Sequence, residues 1–119
     1  MIDIYGIPNC GSFKKALQWA REARVEFTAH NFKIEAPSAD TVAKWTQTLG
    51  VKKIVNRSSS TWRTLDAEFR AQAETTEGAT ALLASYPLLI KRPLIVWADG
   101  TVTCGVDLDD WNRRIGAAE

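Results

Sequence analysis

Cys10 is the residue with the most chemistry to offer, because a thiolate attacks disulfide sulfur and other electrophiles and this cysteine falls at the start of a helix. The free N–H groups of a helix N-terminus favour negative charge there, and Lys14 adds a positive field one turn on. The residues alone leave two roles open for Cys10: activated nucleophile, or small packed apolar side chain. Cys104 is the only other thiol, and its place at the end of an apolar strand suits a packed core residue better than a resolving partner. Two cysteines in a chain that is 45% apolar supply neither a disulfide framework nor a multi-cysteine zinc site. His30, the single histidine, has no His, Cys or paired carboxylate at ligand spacing, so it reads as an ordinary polar-face side chain and no metal site is expected. Arg57 falls in a polar loop, where residue type alone makes it a solvated side chain. Arg92 precedes Pro93, a special backbone position, and its role stays open. Asp107, Asp109 and Asp110 open the last helix, where carboxylates complement the dipole and need no catalytic role.

The elements that must position these residues follow from pattern. Ile2 and Ile4 punctuate a short strand that runs into the turn Gly6-Ile7-Pro8-Asn9, and Phe13, Ala16, Leu17 and Ala20 then recur at helical spacing. Asn9 is the expected N-cap, with Cys10 in the first turn. Alternation from Val25 to Asn31 predicts a second strand, parallel to the first because a helix-length crossover joins them, with the right-handed connection such units take. Ser38 caps a helix carrying Val42, Trp45 and Leu49 and ended by Gly50. The basic piece from Val51 to Val55 and a polar loop follow, then helices over Trp62 to Arg70 and Thr75 to Tyr86, the second stopped by Pro87. Leu94 to Trp97 suits a buried strand, Asp99-Gly100 a hairpin turn, and Thr101 to Cys104 the returning strand. Val106, Leu108, Trp111 and Ile115 line one face of a closing helix. The five tryptophans suit core positions, and Trp62 is a candidate for lining a pocket.

The 119 residues fit one domain, spanning 1–119. Fifteen basic against 14 acidic side chains, with no run of like charge, argue against nucleic-acid binding. With no signal-peptide pattern at Met1–Tyr5 and no apolar run of membrane-spanning length, the expected address is the cytoplasm and no membrane partner is expected.

Three motifs then stand in register: Tyr5-Gly6-Ile7-Pro8-Asn9-Cys10 followed by Lys14-Lys15-Ala16, Asn56-Arg57 ahead of Ser60-Thr61-Trp62-Arg63, and Leu89-Ile90-Lys91-Arg92-Pro93. From Ile2 to Trp111 their order and spacing resemble the arsenate reductase-like (ArsC/Spx) family, especially its YffB-like branch. The resemblance implies an α/β thioredoxin-like fold, a four-stranded mixed sheet whose β-α-β and β-β-α halves are separated by a helical insertion over about residues 38–86. It makes Cys10 the catalytic nucleophile and makes Arg57 and Arg92 the oxyanion-holding guanidinium forks. Asn9, Gly11, Ser12 and Pro93 complete the expected anion-binding surroundings, and the Arg92-Pro93 peptide is expected to be cis.

The chain also departs from the pattern. Arsenate-reducing members place a histidine at the position of Gly6 and a third arginine at that of Gly105. Losing one charge-assisted hydrogen bond costs about 1.5–3 kcal/mol, enough to weaken anion recognition. The Spx branch carries Cys-x-x-Cys, whereas Cys10-Gly11-Ser12-Phe13 ends in phenylalanine and excludes a dithiol switch there. The expectation is a monomeric, glutathione-dependent thiol reductase with a single nucleophilic cysteine. Glutathione would be a co-substrate, a small oxyanion a possible ligand and glutaredoxin a possible partner, with no tightly bound cofactor. An Spx-like regulator that binds RNA polymerase and a true arsenate reductase are the alternatives.

Overall fold

The computed structural model describes residues 1–117. Four strands, β1 (Ile2–Gly6), β2 (Phe27–Asn31), β3 (Leu94–Val96) and β4 (Val102–Cys104), form one mixed sheet in the order β2-β1-β3-β4. β1 pairs in parallel with β2, Tyr5 opposite His30, and antiparallel with β3, Tyr5 opposite Leu94. β4 returns antiparallel to β3 with Cys104 opposite Leu94. Between β1 and β2 lies α1 (Gly11–Glu22), and α7 (Leu108–Ala117) closes the chain. The insertion between β2 and β3 comprises α2 (Ala39–Leu49), α3 (Val51–Ile54), α4 (Ser60–Thr64), α5 (Ala67–Ala71) and α6 (Thr76–Ser85), with 3₁₀ turns at Gln72–Glu74 and Pro87–Leu89.

Because strand side chains alternate between faces, β1 and β3 each feed two cores. Ile2, Ile4, Ile95 and Trp97 pack with Phe13, Ala16 and Trp19 of α1 and with Trp111 of α7. Leu94 faces the other side, where Val42, Trp45, Leu82 and Leu83 of the insertion pack and Tyr5 joins from β1. This is the expected thioredoxin-like α/β arrangement, with one helical layer on each face. None of the described helices is long and apolar enough to cross a membrane.

Local chemistry sets most boundaries as predicted. The Ser38 hydroxyl accepts the Thr41 N–H at 3.2 Å, and Gly50 ends α2 at φ +86°, a left-handed turn that suits a residue without Cβ. The hairpin turn at Gly100 has φ +88°. Three expectations need correction. Trp62 to Arg70 is not one helix: Leu65 is extended and the Asp66 carboxylate accepts the Phe69 N–H, which starts a new helix. Val106 and Leu108 are not on the buried face of the closing helix, since the chain reverses at Gly105 and Asp107 caps α7, leaving both side chains about 40% exposed. Asn9 is not the cap of α1; Cys10 is, because its carbonyl receives the first helical hydrogen bond, from the Lys14 N–H, while Asn9 stays in the preceding turn.

Candidate functional site

Cys10 stands where β1 has ended and α1 begins. Its N–H donates to the Ile7 carbonyl at 3.1 Å, folding the Pro8-Asn9 turn back on the strand end. The residue is half-buried, touches both cores, and takes extended cap angles (φ −94°, ψ 122°) without using its side chain as a cap. Among the described residues the sulfur has no hydrogen-bond partner, so it is free to meet a ligand. A Cβ added at the exposed Gly11 would meet nothing within 4 Å, which leaves the helix mouth open. Ser12 is half-buried and Asn9 exposed on the flanks of the mouth. Gly11 and Ser12 are the first two helical residues, whose N–H groups have no acceptor within the helix and favour an anion.

The β1–β3 pairing brings the next residues to this end of the sheet. Pro93 and Arg92 immediately precede Leu94, so they lie by the Gly6-Ile7 end of β1, from which Cys10 follows. The Arg92-Pro93 peptide is cis, as the resemblance implies, and Pro93 is fully buried. Arg92 Nη1 donates to the Leu88 carbonyl at 3.0 Å, while its buried Nε has no partner among the described residues. The neighbouring Leu89 carbonyl accepts the Asn56 N–H at 2.8 Å, so Arg57 follows a residue held to the same short turn that anchors Arg92. The Arg57 guanidinium lies 5.3 Å from the centre of the Trp62 ring, which also carries Arg70 at 5.9 Å. Trp62 is thus a platform for two cations. Arg57 also borders a cavity of about 550 Å³, together with Lys52, Lys53 and Glu74. Neither Arg57 nor Arg92 hydrogen-bonds the Cys10 sulfur.

Further features flank this end. Gly105, at φ +84°, donates its N–H to the Pro93 carbonyl at 3.0 Å. A Cβ there would come within 3.3 Å of Lys91 Cε, so the lysine chain lies over the bare backbone of Gly105. That placement was not legible from the sequence, where Lys91 stands out only as part of a motif. Among the described residues, Lys52, Lys53, Arg57, Lys91 and Arg92 form no ion pair, whereas Arg113 and Arg114 are paired with Asp110. Cys104 shares the strand face of Leu94, on the insertion side. Its sulfur donates to the Lys53 carbonyl at 3.4 Å, and burial pushes the thiol up despite the nearby Lys53 and Lys91 charges. His30 lies one strand away, its Nε2 2.9 Å from an Asp3 oxygen and its Nδ1 2.9 Å from a Glu35 oxygen, and its ring stacks on Tyr5 at 4.2 Å. Among the described residues no three or more His, Cys, Asp or Glu side chains are grouped to hold a metal ion.

A half-buried cysteine at the N-cap of a helix, at the sheet end that also holds a buried cis proline, is the arrangement against which known proteins can be compared. The ArsC family model matches residues 5–113, nearly the whole chain. The chain belongs to the ArsC family. A Haemophilus influenzae protein is 35% identical over 105 residues, covering 88% of this chain and 90% of that one. The global transcriptional regulator Spx of Streptococcus pyogenes serotype M6 is 27% identical, over 81% of this chain and 72% of its own length. Among solved structures, a YffB protein superposes with a TM-score of 0.88 at 27% identity, covering 96% of this chain and 98% of that one. The span matched by the family model contains Cys10, Arg57 and Arg92.

Proposed function

We propose that this ArsC-family protein is a thiol reductase that uses Cys10 as a single nucleophile and glutathione as its reductant. The observation that carries the reading is a half-buried thiol at the mouth of α1, unclaimed by any side chain, at the sheet end that also holds Arg92. The Cys10 thiolate attacks one sulfur of a disulfide, the S–S bond breaks, and the other sulfur leaves as a thiolate and takes up a proton. A glutathione thiolate then displaces the second substrate thiol from the Cys10 sulfur, leaving Cys10 joined to glutathione. A second glutathione attacks the glutathione sulfur of that adduct, releases oxidised glutathione and restores Cys10. Two glutathione molecules are thereby oxidised for each disulfide reduced, and no second protein cysteine is needed. The carboxylates of glutathione suit guanidinium forks, and Arg57 and Arg92 supply two that pair with no carboxylate among the described residues.

The test is reaction of the purified protein with oxidised glutathione, followed by mass, together with steady-state reduction of a small glutathione mixed disulfide. The adduct is expected on Cys10, with turnover abolished by Cys10→Ser and retained by Cys104→Ser. Absence of both adduct and turnover in the unaltered protein would remove the proposal. Arg57→Ala and Arg92→Ala should each raise KM for glutathione about tenfold, the loss of one charge-assisted contact.

A second reading is favoured by the likeness to Spx: a regulator that binds RNA polymerase instead of turning over a substrate. Stoichiometric recovery of polymerase by the tagged protein, unchanged by Cys10→Ser, would support it over the reductase. Arsenate reduction is a third reading, weakened because Gly6 and Gly105 offer no side chain to the oxyanion; arsenate-dependent oxidation of glutathione would establish it.

A further inference from the structure

A Cβ built on Gly6 would lie 2.3 Å from Phe13 Cδ1, 2.6 Å from Cγ and 2.9 Å from the Phe13 Cβ, far inside any allowed contact. The ring is therefore not merely near Gly6 but occupies the space that any other residue at position 6 would need. Phe13 is itself buried, at 4% exposure, in the core shared by α1, β1 and β3, so it has little freedom to swing aside. Gly6 is the last residue of β1 and its carbonyl accepts the Phe32 N–H at 2.8 Å, which fixes the strand end. Phe13 belongs to the first turn of α1, three residues beyond Cys10. Gly6 and Cys10 are thus connected by a rigid path: strand end, bare glycine, phenyl ring, helix mouth.

We infer that Phe13 is a positioning residue for Cys10, its ring filling the side-chain space of Gly6 and so setting how closely the mouth of α1 rests on the end of β1. The inference relies on the reading of Cys10 as nucleophile and adds to it the device that places the sulfur. It also joins the bare glycine at position 6 and the phenylalanine at position 13 into one steric unit. A larger residue at 6 requires a smaller one at 13. A methyl at position 6 opposite the intact ring must push the helix mouth outward, carrying Cys10 away from Arg92-Pro93. Removal of the ring leaves the mouth without its spacer.

Four proteins in a Cys104→Ser background test this: the parent, Gly6→Ala, Phe13→Ala and the double variant. The readouts are the rate at which oxidised glutathione forms a mixed disulfide on Cys10 and the backbone amide shift of Cys10. Each single change should slow the reaction about tenfold, in line with the sensitivity of reacting groups to sub-ångström and ångström displacements, and should move the Cys10 amide. The double variant should be no slower than Gly6→Ala, since the two ring contacts at 2.3 and 2.6 Å are gone and only the 2.9 Å approach to the Cβ of residue 13 remains. Multiplying losses, or parent-like rates and shifts in both single variants, would overturn the inference. Should Gly6→Ala fail to fold, Phe13→Leu and Phe13→Ala decide: Leu should retain the parent rate within about twofold while Ala slows, and equal behaviour of the two would overturn it. If the parent itself does not react with oxidised glutathione, the nucleophile reading fails alone. The Cys10 amide shifts then judge the positioning claim, non-additive in the double variant if it holds and additive if it does not.

Discussion

Cys104 gives its thiol hydrogen to the Lys53 carbonyl 3.4 Å away, and its burial works against ionisation, whereas Cys10 lies at an open helix mouth. Register puts Cys104 on the face of the sheet that packs against the insertion, while α1, which Cys10 caps, covers the other face. Both are free thiols, and their surroundings differ: one is tied to a backbone carbonyl and the other is not. A short treatment of the folded protein with iodoacetamide should therefore modify Cys10 well before Cys104, and peptide mass mapping reads the order. His30 offers a pH test. Burial disfavours its charge, but the hydrogen bonds to Asp3 and Glu35 outweigh it and raise the imidazole above its ordinary value of 6.5. A group raised on folding contributes stability that is fully present below the unfolded value and lost as pH rises through the folded one. The parent should therefore lose Tm relative to His30→Gln as pH rises from about 6 upward. With Asp3 and Glu35 side chains 40% and 57% exposed, the difference should stay below about 1 kcal/mol and shrink with added salt. The residue pattern made His30 a polar-face side chain, which is what its position allows, but nothing in the spacing marked Asp3 and Glu35 as its two partners, because one comes from across the sheet and the other from the turn after β2.

At the scale of elements, α6 illustrates how a packing contact reverses a propensity. Glycine inside a helix costs about 1 kcal/mol relative to alanine, so Gly78→Ala ought to stabilise α6. Here an added Cβ would lie 2.2 Å from the Gln72 carbonyl oxygen, a backbone atom of the preceding 3₁₀ turn that cannot rotate away. The substitution should instead cost about 2 kcal/mol or more, in the range of overpacked cores, and a urea titration would measure it. A gain in stability would mean that the 3₁₀ turn is free to move off the helix. The elements legible in the sequence are those governed by their own residues: the Ser38 cap, the stop at Gly50, the Asp99-Gly100 hairpin and the two alternating strands that begin the sheet. The break at Asp66 was hidden because Leu65 and Asp66 sit inside a continuous helical pattern, and only the choice of the Asp66 carboxylate to bond the Phe69 N–H divides it. Cys10 as cap was missed for a related reason: Asn9 is the better capping residue, but the hydrogen bond from the Cys10 N–H to Ile7 keeps it in the turn. Of the candidate site, Cys10 at the start of α1 was legible from local pattern and Pro93 only through the family resemblance, whereas the Arg57–Trp62 stacking and the Lys91 chain over Gly105 depend on long side chains whose direction no local pattern specifies.

For the whole molecule, the decisive feature is that the two cores share their central strands. Ile4 and Ile95 point into the core beneath α1 and α7, while their neighbours Tyr5 and Leu94 reach the core beneath the insertion. Opening either face would strip apolar cover from β1 and β3 together, and the remaining half would hold a sheet bare on one side. The insertion is for this reason a structural layer and not an appendage, and the protein should unfold in one cooperative step. Leu83 is fully buried on the insertion side and Ile95 on the opposite side. Leu83→Ala should cost about 2–5 kcal/mol and Ile95→Val about 0.5–1.5 kcal/mol, large fractions of the roughly 5–15 kcal/mol that holds a domain together. In both variants, hydrogen exchange at Ala16 of α1 and at Leu82 of α6 should accelerate by the same factor, because both amides are released by the same global opening. The predicted equality is the informative result, since a chain whose insertion formed an independent layer would show Leu83→Ala speeding exchange at Leu82 while leaving Ala16 protected. That outcome would also detach α4, which bears Trp62, together with the Arg57 stacked on it, from the half that bears Cys10.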